Sequence, residues 1–250
     1  MSVHLSIENL CVEFNGFRAV TDLNLTVNKG ELRCLIGPNG AGKTTALDLI
    51  CGKTKPTSGA IRYKGTDLAQ QEEYLIARAG VGRKFQVPSV FRQLSVRQNL
   101  EVAFCRHTGV AANVLRPGQS SESDGLEKLA DFVGLIDQLD VPAAHLSHGQ
   151  TQWLEIALLL AQDSELILLD EPAAGMTHQE TLKTAEICNR LKGKHTMIVV
   201  EHDMGFVREI GETISVMHQG SLLAEGSVEE ISKHAKVKEV YLGSMGIGHA

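Results

Sequence analysis

The sequence predicts an α/β fold with an antiparallel β subdomain and an inserted helical segment. Three short apolar runs, at residues 32–36, 166–169 and 197–200, have the length and composition of buried strands. Helical patterns separate these runs along the chain, as expected when helices connect the strands of one sheet. A chain of 250 residues is long enough for one large domain that includes a subdomain.

The N-terminal part of the chain is predicted to form a half-solvated sheet. Residues 5–14 alternate loosely between apolar and polar types, and residues 23–27 alternate strictly. Turn-forming residues at 15–16 and 28–30 follow these runs, and a further strand is expected at 61–63.

Residues 87–160 differ in character and are predicted to be a helical subdomain inserted into the core. Ser95 is a suitable N-cap for a helix over residues 96–104. Frequent Gly, Pro, Ser and Asn predict a long surface loop over residues 107–124, followed by an amphipathic helix over 126–135.

The C-terminal part completes a single predicted domain over residues 1–250. Apolar runs at 214–217 and 222–224 flank a Gln-Gly turn and predict a β-hairpin. Two short helices are expected after it.

Composition excludes several classes of protein. A net charge of -6 argues against a general nucleic-acid binder, which usually has a basic face. We expect no signal peptide, because the N-terminus lacks its pattern, and the most apolar stretch, at 154–161, is far shorter than the roughly 20 residues of a membrane helix. We therefore expect any membrane role to depend on a partner. Five scattered cysteines without a C-x-x-C pair indicate reduced thiols in a cytosolic protein rather than a metal site.

A glycine-rich loop between the strand at 32–36 and a helix predicted over 43–50 is the clearest functional motif. Its residues are Gly37, Pro38, Asn39, Gly40, Ala41, Gly42, Lys43 and Thr44, followed by Thr45. The glycines let backbone N–H groups converge on phosphate oxygens, and the helix directs its positive end to the same place. Lys43 is predicted to reach the β and γ phosphates, and the Thr44 hydroxyl to ligate Mg²⁺. The flanking strand and helix disfavour the alternative of a chance turn.

Polar side chains follow the two other buried strands. Asp170 and Glu171 end the strand that begins at Leu166, so Asp170 is predicted to hold Mg²⁺ through a water molecule and Glu171 to polarise an attacking water. Solvated acids at a strand end are the alternative, which the upstream phosphate loop disfavours. His202 follows the strand at 197–200 and is predicted to contact the γ-phosphate, with a structural histidine as the alternative.

Two further features are weaker. Gln86 is of a residue type that can join Mg²⁺ or the water to a neighbouring segment, although alone it is uninformative. Ser147 and Gly149 precede a predicted helix and offer a second phosphate-binding helix end. The alternative is an ordinary capping box between Ser147 and Gln150.

Together and in this order, these features resemble the motifs of the ATP-binding subunits of ABC transporters. The resemblance covers nearly the whole chain and implies a P-loop NTPase core of the ABC ATPase type. It makes the phosphate loop Walker A, residues 166–170 Walker B, Gln86 the Q-loop, residues 146–150 the signature motif and His202 the H-loop.

The resemblance also implies ATP and Mg²⁺ as cofactors. Glu171, His202 and Gln86 would be catalytic, while Thr44, Gln86 and Asp170 would hold the metal. Phe14 falls where the family places the aromatic residue that stacks on adenine, with Phe17 as the alternative.

The family's partners follow from the same resemblance. Two ATP-binding subunits would form a head-to-tail dimer, either homomeric or heteromeric, with each ATP between Walker A of one and Ser147, Gly149 and Gln150 of the other. Residues 87–91 would face transmembrane permease subunits, and a periplasmic binding protein would take part indirectly. The subunit would lie in the cytoplasm, on the inner face of the plasma membrane, without a nucleic-acid partner.

Two positions depart from the common motifs. His148 replaces the first glycine of the signature, and Thr177 replaces the usual aspartate of the D-loop. Residues 171–176 and 240–243 resemble the branch that serves branched-chain amino acids, and residues 146–156 are similar to the urea importers.

The predicted function is therefore an ATPase coupled to transmembrane import of a small polar solute, with urea as the preferred substrate. A branched-chain or hydrophobic amino acid importer is the alternative. A non-transport ABC ATPase in translation or DNA repair, and a module whose nucleotide only regulates a partner, are less favoured. Within these 250 residues we find no sign of the duplicated domain or of the long coiled coil that the non-transport classes are expected to have.

Overall fold

Two β-sheets organise the computed structural model, which describes residues 2–85, 89–104 and 120–245. The strands are, in chain order, β1 (Val3–Phe14), β2 (Phe17–Asn28), β3 (Leu32–Ile36), β4 (Ser58–Tyr63), β5 (Thr66–Asp67), β6 (Val81–Lys84), β7 (Leu166–Asp170), β8 (Thr196–Val200), β9 (Thr213–His218) and β10 (Ser221–Gly226). The helices are α1 (Lys43–Ile50), α2 (Glu73–Arg78), α3 (Val96–Phe104), α4 (Ser120–Val133), α5 (His148–Ala161), α6 (His178–Leu191), α7 (Met204–Ile210), α8 (Val228–Lys233) and α9 (Ala235–Met245). The α/β fold predicted from the sequence is confirmed.

The central sheet has six strands in the order β10-β9-β3-β8-β7-β6. Every pair is parallel except β10 with β9, which form the predicted hairpin. Strands β3, β7 and β8 are buried at every residue because both faces of the sheet are covered. Because these strands are parallel, their carboxyl ends meet at one edge of the sheet, which is where ligands bind in open α/β folds.

The second sheet is antiparallel, with four strands in the order β2-β1-β4-β5. Its apolar side chains and those of α1 cover one face of the central sheet, and this core includes Leu5, Leu23, Leu47, Leu168 and Ile198. Helices α5 and α6 pack in a second core on the other face. Because α1 packs in the first of these cores, its N-terminus is held close to the sheet edge at which β3 ends.

Between β6 and β7 the described residues form helices and two short 3-10 turns. Ser95 caps α3 as predicted, because its Oγ accepts a hydrogen bond from the Gln98 N–H across 3.2 Å. The loop predicted over 107–124 extends too far, since α4 begins at Ser120, and residues 105–119 lie outside the described part. The limits of the helical subdomain at residues 87 and 160 stay a prediction.

Other differences from the expected elements have local causes. Strand β2 begins at Phe17 rather than at residue 23, because Phe17 pairs with Phe14 across the turn. Strand β6 was not expected, since its last two residues are the charged Arg83 and Lys84. In residues 2–85, 89–104 and 120–245, no helix reaches the length and apolarity needed to cross a bilayer.

Candidate nucleotide-binding site

The phosphate loop joins β3 to α1 in a conformation that only glycine accommodates. Gly37 has a φ of +154°, and a Cβ there would lie 2.2 Å from the Met217 carbonyl oxygen. Gly42, with a φ of +98°, would place a Cβ 2.7 Å from the Ala19 carbonyl oxygen. The spacing of glycines in the sequence therefore reflects close packing of the loop against β2 and β9.

Lys43 is held against this loop. Its Nζ donates hydrogen bonds to the carbonyl oxygens of Gly37 at 2.8 Å and Pro38 at 3.0 Å. Burial lowers the pKa of Lys43, while Glu171 and Asp170 act in the opposite direction. The ammonium group therefore lies where the loop, α1 and the end of β7 meet.

Thr44 and Asp170 supply two oxygen atoms from neighbouring elements. Thr44 Oγ1 lies 3.5 Å from Asp170 Oδ1, and the other carboxylate oxygen, Oδ2, is 3.3 Å from Arg83 Nη2. Burial raises the pKa of Asp170, and the nearby Arg83 opposes that rise. A hydroxyl beside a carboxylate fits Mg²⁺, which binds oxygen ligands through one or two carboxylates and keeps several waters.

Glu171 directly follows β7 in an uncommon backbone conformation. Its φ is +48°, and its N–H donates to the Val200 carbonyl oxygen across 2.9 Å. Left-handed backbone at a residue other than glycine persists only where its surroundings enforce it, and such residues concentrate at functional sites. The turn directs the Glu171 side chain to the cavity above the phosphate loop.

His202 lies beside Glu171 at the end of the neighbouring strand. His202 Nδ1 is 3.3 Å from Glu171 Oε1, and the imidazole is 58% exposed. Behind it, the buried Glu201 accepts hydrogen bonds from the N–H groups of His202 at 3.1 Å and Ala173 at 3.0 Å. Burial raises the pKa of Glu201, while these backbone hydrogen bonds lower it. Through these hydrogen bonds, Glu201 connects the segment that follows β7 with the segment that follows β8.

A cavity of about 390 Å³ lies over the phosphate loop. It is lined by residues 39–45 together with Phe17, Ala19 and Glu171. Phe14 does not line this cavity, so the aromatic residue at its wall is Phe17, the alternative named above. Phe17 is 67% exposed and extends from the turn between β1 and β2.

The signature residues lie apart from this cavity, at the N-terminus of α5. Ser147 is the N-cap and forms a capping box with Gln150, as the structural alternative predicted. Glu180 Oε1 also accepts hydrogen bonds from Ser147 Oγ at 2.8 Å and from the Gly149 N–H at 3.2 Å. None of Ser147, Gly149 and Gln150 lines the cavity over the phosphate loop.

The substituted His148 faces the segment after Glu171. His148 Nε2 is 3.0 Å from the Ala174 carbonyl oxygen. A second cavity, of about 410 Å³, lies here and is lined by His148, Gln152, Lys84, Asp170, Glu171, Ala174 and Gly175. Lys84 is only 3% exposed, and its burial lowers the pKa of its ammonium group. The signature helix and the end of β7 therefore share a polar cavity.

Gln86, the predicted Q-loop residue, lies outside the described residues, as do residues 87 and 88. No role was predicted from the sequence for Arg83, Lys84, Glu180 or Glu201. Three signals pointed to them: two adjacent charges before Gln86, an acid directly before His202, and the capping pattern Thr177-x-x-Glu180. In residues 2–85, 89–104 and 120–245, no group of three or more His, Cys, Asp or Glu side chains has the arrangement of a metal site.

Comparison with known proteins agrees with this geometry. The family model described as ABC transporter matches residues 20–174. The high-affinity branched-chain amino acid transport ATP-binding protein LivG of Escherichia coli K12 is 37% identical over 248 residues, covering 96% of this chain and 97% of LivG. BraF of Pseudomonas aeruginosa, described in the same words, is 36% identical with the same coverage.

A solved structure supports the same assignment. The ADP conformation of MJ1267, described as an ATP-binding cassette of an ABC transporter, superposes with a TM-score of 0.85 and 28% identity. The match covers 97% of this chain and all of that one. The fold, the matched family model and the relatives agree, and the chain belongs to the ABC transporter family as a nucleotide-binding ATPase.

Proposed function

We propose that this chain hydrolyses ATP to power an ABC importer for branched-chain or other hydrophobic amino acids. The observation that carries the ATPase part is the meeting of Lys43, Thr44, Asp170, Glu171 and His202 at one edge of the sheet. The amino acid part rests on LivG and BraF, which align over nearly their whole length. These relatives favour the amino acid alternative over urea, which the similarity of residues 146–156 had suggested.

The proposed chemistry follows from the positions of these groups. Backbone N–H groups of the phosphate loop and the N-terminus of α1 bind the phosphates, with Lys43 on the β and γ positions. Thr44 and Asp170 would hold Mg²⁺, which would supply positive charge to neutralise the phosphates. Glu171 orients the attacking water and accepts its proton, and His202, at 3.3 Å from Glu171, fixes that carboxylate. For Gln86, which lies outside the described residues, the role of joining the metal or the water stays the prediction made from the sequence.

For the base, the proposal favours Phe17 over Phe14. Phe17 is largely exposed at the wall of the nucleotide cavity, where a flat aromatic face suits stacking on adenine. Thr45 also lines this cavity and extends the phosphate contacts of the loop.

The proposed assembly explains why a second phosphate-binding end exists. Ser147, Gly149 and Gln150 lie outside the cavity of their own subunit, so they are suited to a nucleotide that a second ATP-binding subunit holds. Transmembrane permease subunits would bind the helical part at the inner face of the plasma membrane, and a periplasmic binding protein would deliver the solute to them. The proposed assembly does not include a nucleic-acid partner.

A transport assay in a strain lacking this gene tests the proposal. Uptake of radiolabelled leucine and of radiolabelled urea is measured after complementation with the wild type or with Glu171→Gln. The proposal predicts that the wild type alone restores leucine uptake and that urea uptake is the same in all strains. Restoration of urea uptake alone would establish urea as the substrate, and no change in either would contradict an importer for these solutes.

A further inference from the structure

The Glu180 carboxylate contacts the same groups that the proposed composite site offers to a phosphate. Glu180 Oε1 accepts hydrogen bonds from Ser147 Oγ at 2.8 Å and from the Gly149 N–H at 3.2 Å. Both donors lie at the N-terminus of the 14-residue helix α5, where the first N–H groups lack partners within the helix. Carboxylate and phosphate oxygens are both anionic acceptors that such an end favours.

The second oxygen of Glu180 is bound to the start of its own helix, α6. Glu180 Oε2 accepts hydrogen bonds from the Thr177 N–H at 3.0 Å and from Thr177 Oγ1 at 2.9 Å. Hydrogen bonds from Thr177 and then Ser147 lower the pKa of Glu180, so the carboxylate is charged at neutral pH. One side chain therefore bridges the N-termini of α5 and α6.

The absence of a side chain at Gly149 is what permits this contact. A Cβ at Gly149 would lie 2.5 Å from Glu180 Oε1 and 2.6 Å from the carboxyl carbon, closer than atoms of these types can approach. The glycine of the signature thus serves an interaction within one chain, in addition to the close approach that a phosphate would need.

From these contacts, and on the basis of the proposed composite site, we propose that Glu180 competes with the partner-held nucleotide. It closes the signature end of the free subunit and must withdraw when the γ-phosphate arrives. The Ser147 hydroxyl has a single proton, and it cannot donate that proton to Glu180 and to a phosphate at once. Two anions at the same helix end also repel each other. Glu180 therefore opposes ATP-dependent dimerisation of the two subunits.

The first test concerns the free subunit and does not depend on dimerisation. Amide hydrogen exchange at Gly149 is followed by NMR in the nucleotide-free protein, with Glu180→Ala compared with Glu186→Ala. Glu186 is a matched control because it lies on the same helix, and its ion pairs with Lys183 and Arg190 stay within that helix. We expect faster exchange at Gly149 in the first variant only. Equal exchange rates at Gly149 in both variants would show that Glu180 does not accept the Gly149 hydrogen bond in solution, and this would overturn the proposal.

The second test measures the competition. Light scattering follows ATP-dependent dimerisation in the Glu171→Gln background, with Glu180→Gln or Glu186→Gln added. Glutamine at 180 retains the capping box of α6, so the fold is preserved while the charge is removed. Because the contact is partly solvent-exposed, we expect Glu180→Gln to lower the ATP concentration at half-dimerisation about three- to tenfold.

The outcomes separate this inference from the function on which it rests. If Glu171→Gln dimerises but Glu180→Gln leaves the midpoint unchanged or raises it, the competition is overturned while the composite site stands. If no variant dimerises at any ATP concentration although each binds ATP, the composite site itself fails and the competition fails with it.

Discussion

Replacing Arg83 with methionine should destabilise the fold strongly, because its guanidinium group compensates the negative charges of two carboxylates, those of Asp48 and Asp170. Arg83 is 4% exposed, and its Nη2 is 3.3 Å from Oδ2 of Asp170, which is 1% exposed. Its Nη1 also pairs with Asp48, which is 19% exposed. Methionine fills a similar volume but leaves both acids without this partner.

The expected magnitude follows from the burial of the pair. Removing one partner of a buried ion pair typically costs about 3–5 kcal/mol, because the remaining charge stays desolvated. Urea denaturation slopes of about 1–3 kcal/mol per molar convert that loss into a midpoint lower by about 1 M or more. The pKa of Asp170, already raised by burial, should rise further without Arg83.

The assay is urea unfolding of the nucleotide-free protein, followed by circular dichroism. The matched control is Arg62→Met, which breaks a pair with Glu8 in which the two side chains are 45% and 52% exposed. We expect that control to change the midpoint much less. Adding Asp170→Asn to Arg83→Met should recover part of the loss, since the buried charge is then removed. The reasoning is refuted if Arg83→Met shifts the midpoint no more than Arg62→Met.

Three other predictions concern the site. Gly42→Ala should weaken binding of a fluorescent ATP analogue by at least about tenfold, because its Cβ would lie 2.7 Å from the Ala19 carbonyl oxygen. The control is Gly65→Ala, at a similar φ of +80° but with open space around the Cβ, which should leave the affinity nearly unchanged. Equal effects of the two variants would contradict the steric cause. Phe17→Ala should raise the Kd for ATP by about tenfold and Phe14→Ala by less, with the reverse order restoring Phe14 as the adenine contact. His202→Ala should lower kcat by about a hundredfold or more in a phosphate-release assay without changing the Kd for ATP, and an unchanged kcat would remove His202 from the mechanism.

Much of the site could be predicted from sequence because its parts are local. A buried strand, a glycine-rich loop and a helix are contiguous over residues 32–50, and the structure has them with the same bounds. Asp170 and His202 follow apolar strands, so the topology of a parallel sheet brings them to one edge without further information. Local patterns of this kind need no knowledge of distant contacts.

The remainder depends on contacts between distant segments. Strand β6 has no apolar pattern at its end, and Arg83 is buried only because Asp48 and Asp170 meet it there. The contact between Ser147 and Glu180 joins residues 33 positions apart, and each has a sufficient local explanation as part of a helix cap. The choice of Phe17 over Phe14 depends on which side of the β1–β2 turn faces the loop, which composition does not encode.

The substrate could not be predicted on physical grounds, because no proposed site residue contacts the transported solute. Residues 146–156 favoured urea through local similarity, whereas alignment over nearly the full length favours the amino acid importers. Only transport measurements on the assembled importer distinguish the two.

Glu171 is proposed to activate water at a nucleotide held by the phosphate loop. The most direct measurement compares steady-state phosphate release with equilibrium ATP binding for the wild type and Glu171→Gln, in the assembled transporter. We predict that turnover falls by at least about a hundredfold, the usual contribution of a general base, while the Kd for ATP stays within about threefold. Turnover within tenfold of the wild type, with ATP bound equally well, would contradict the account.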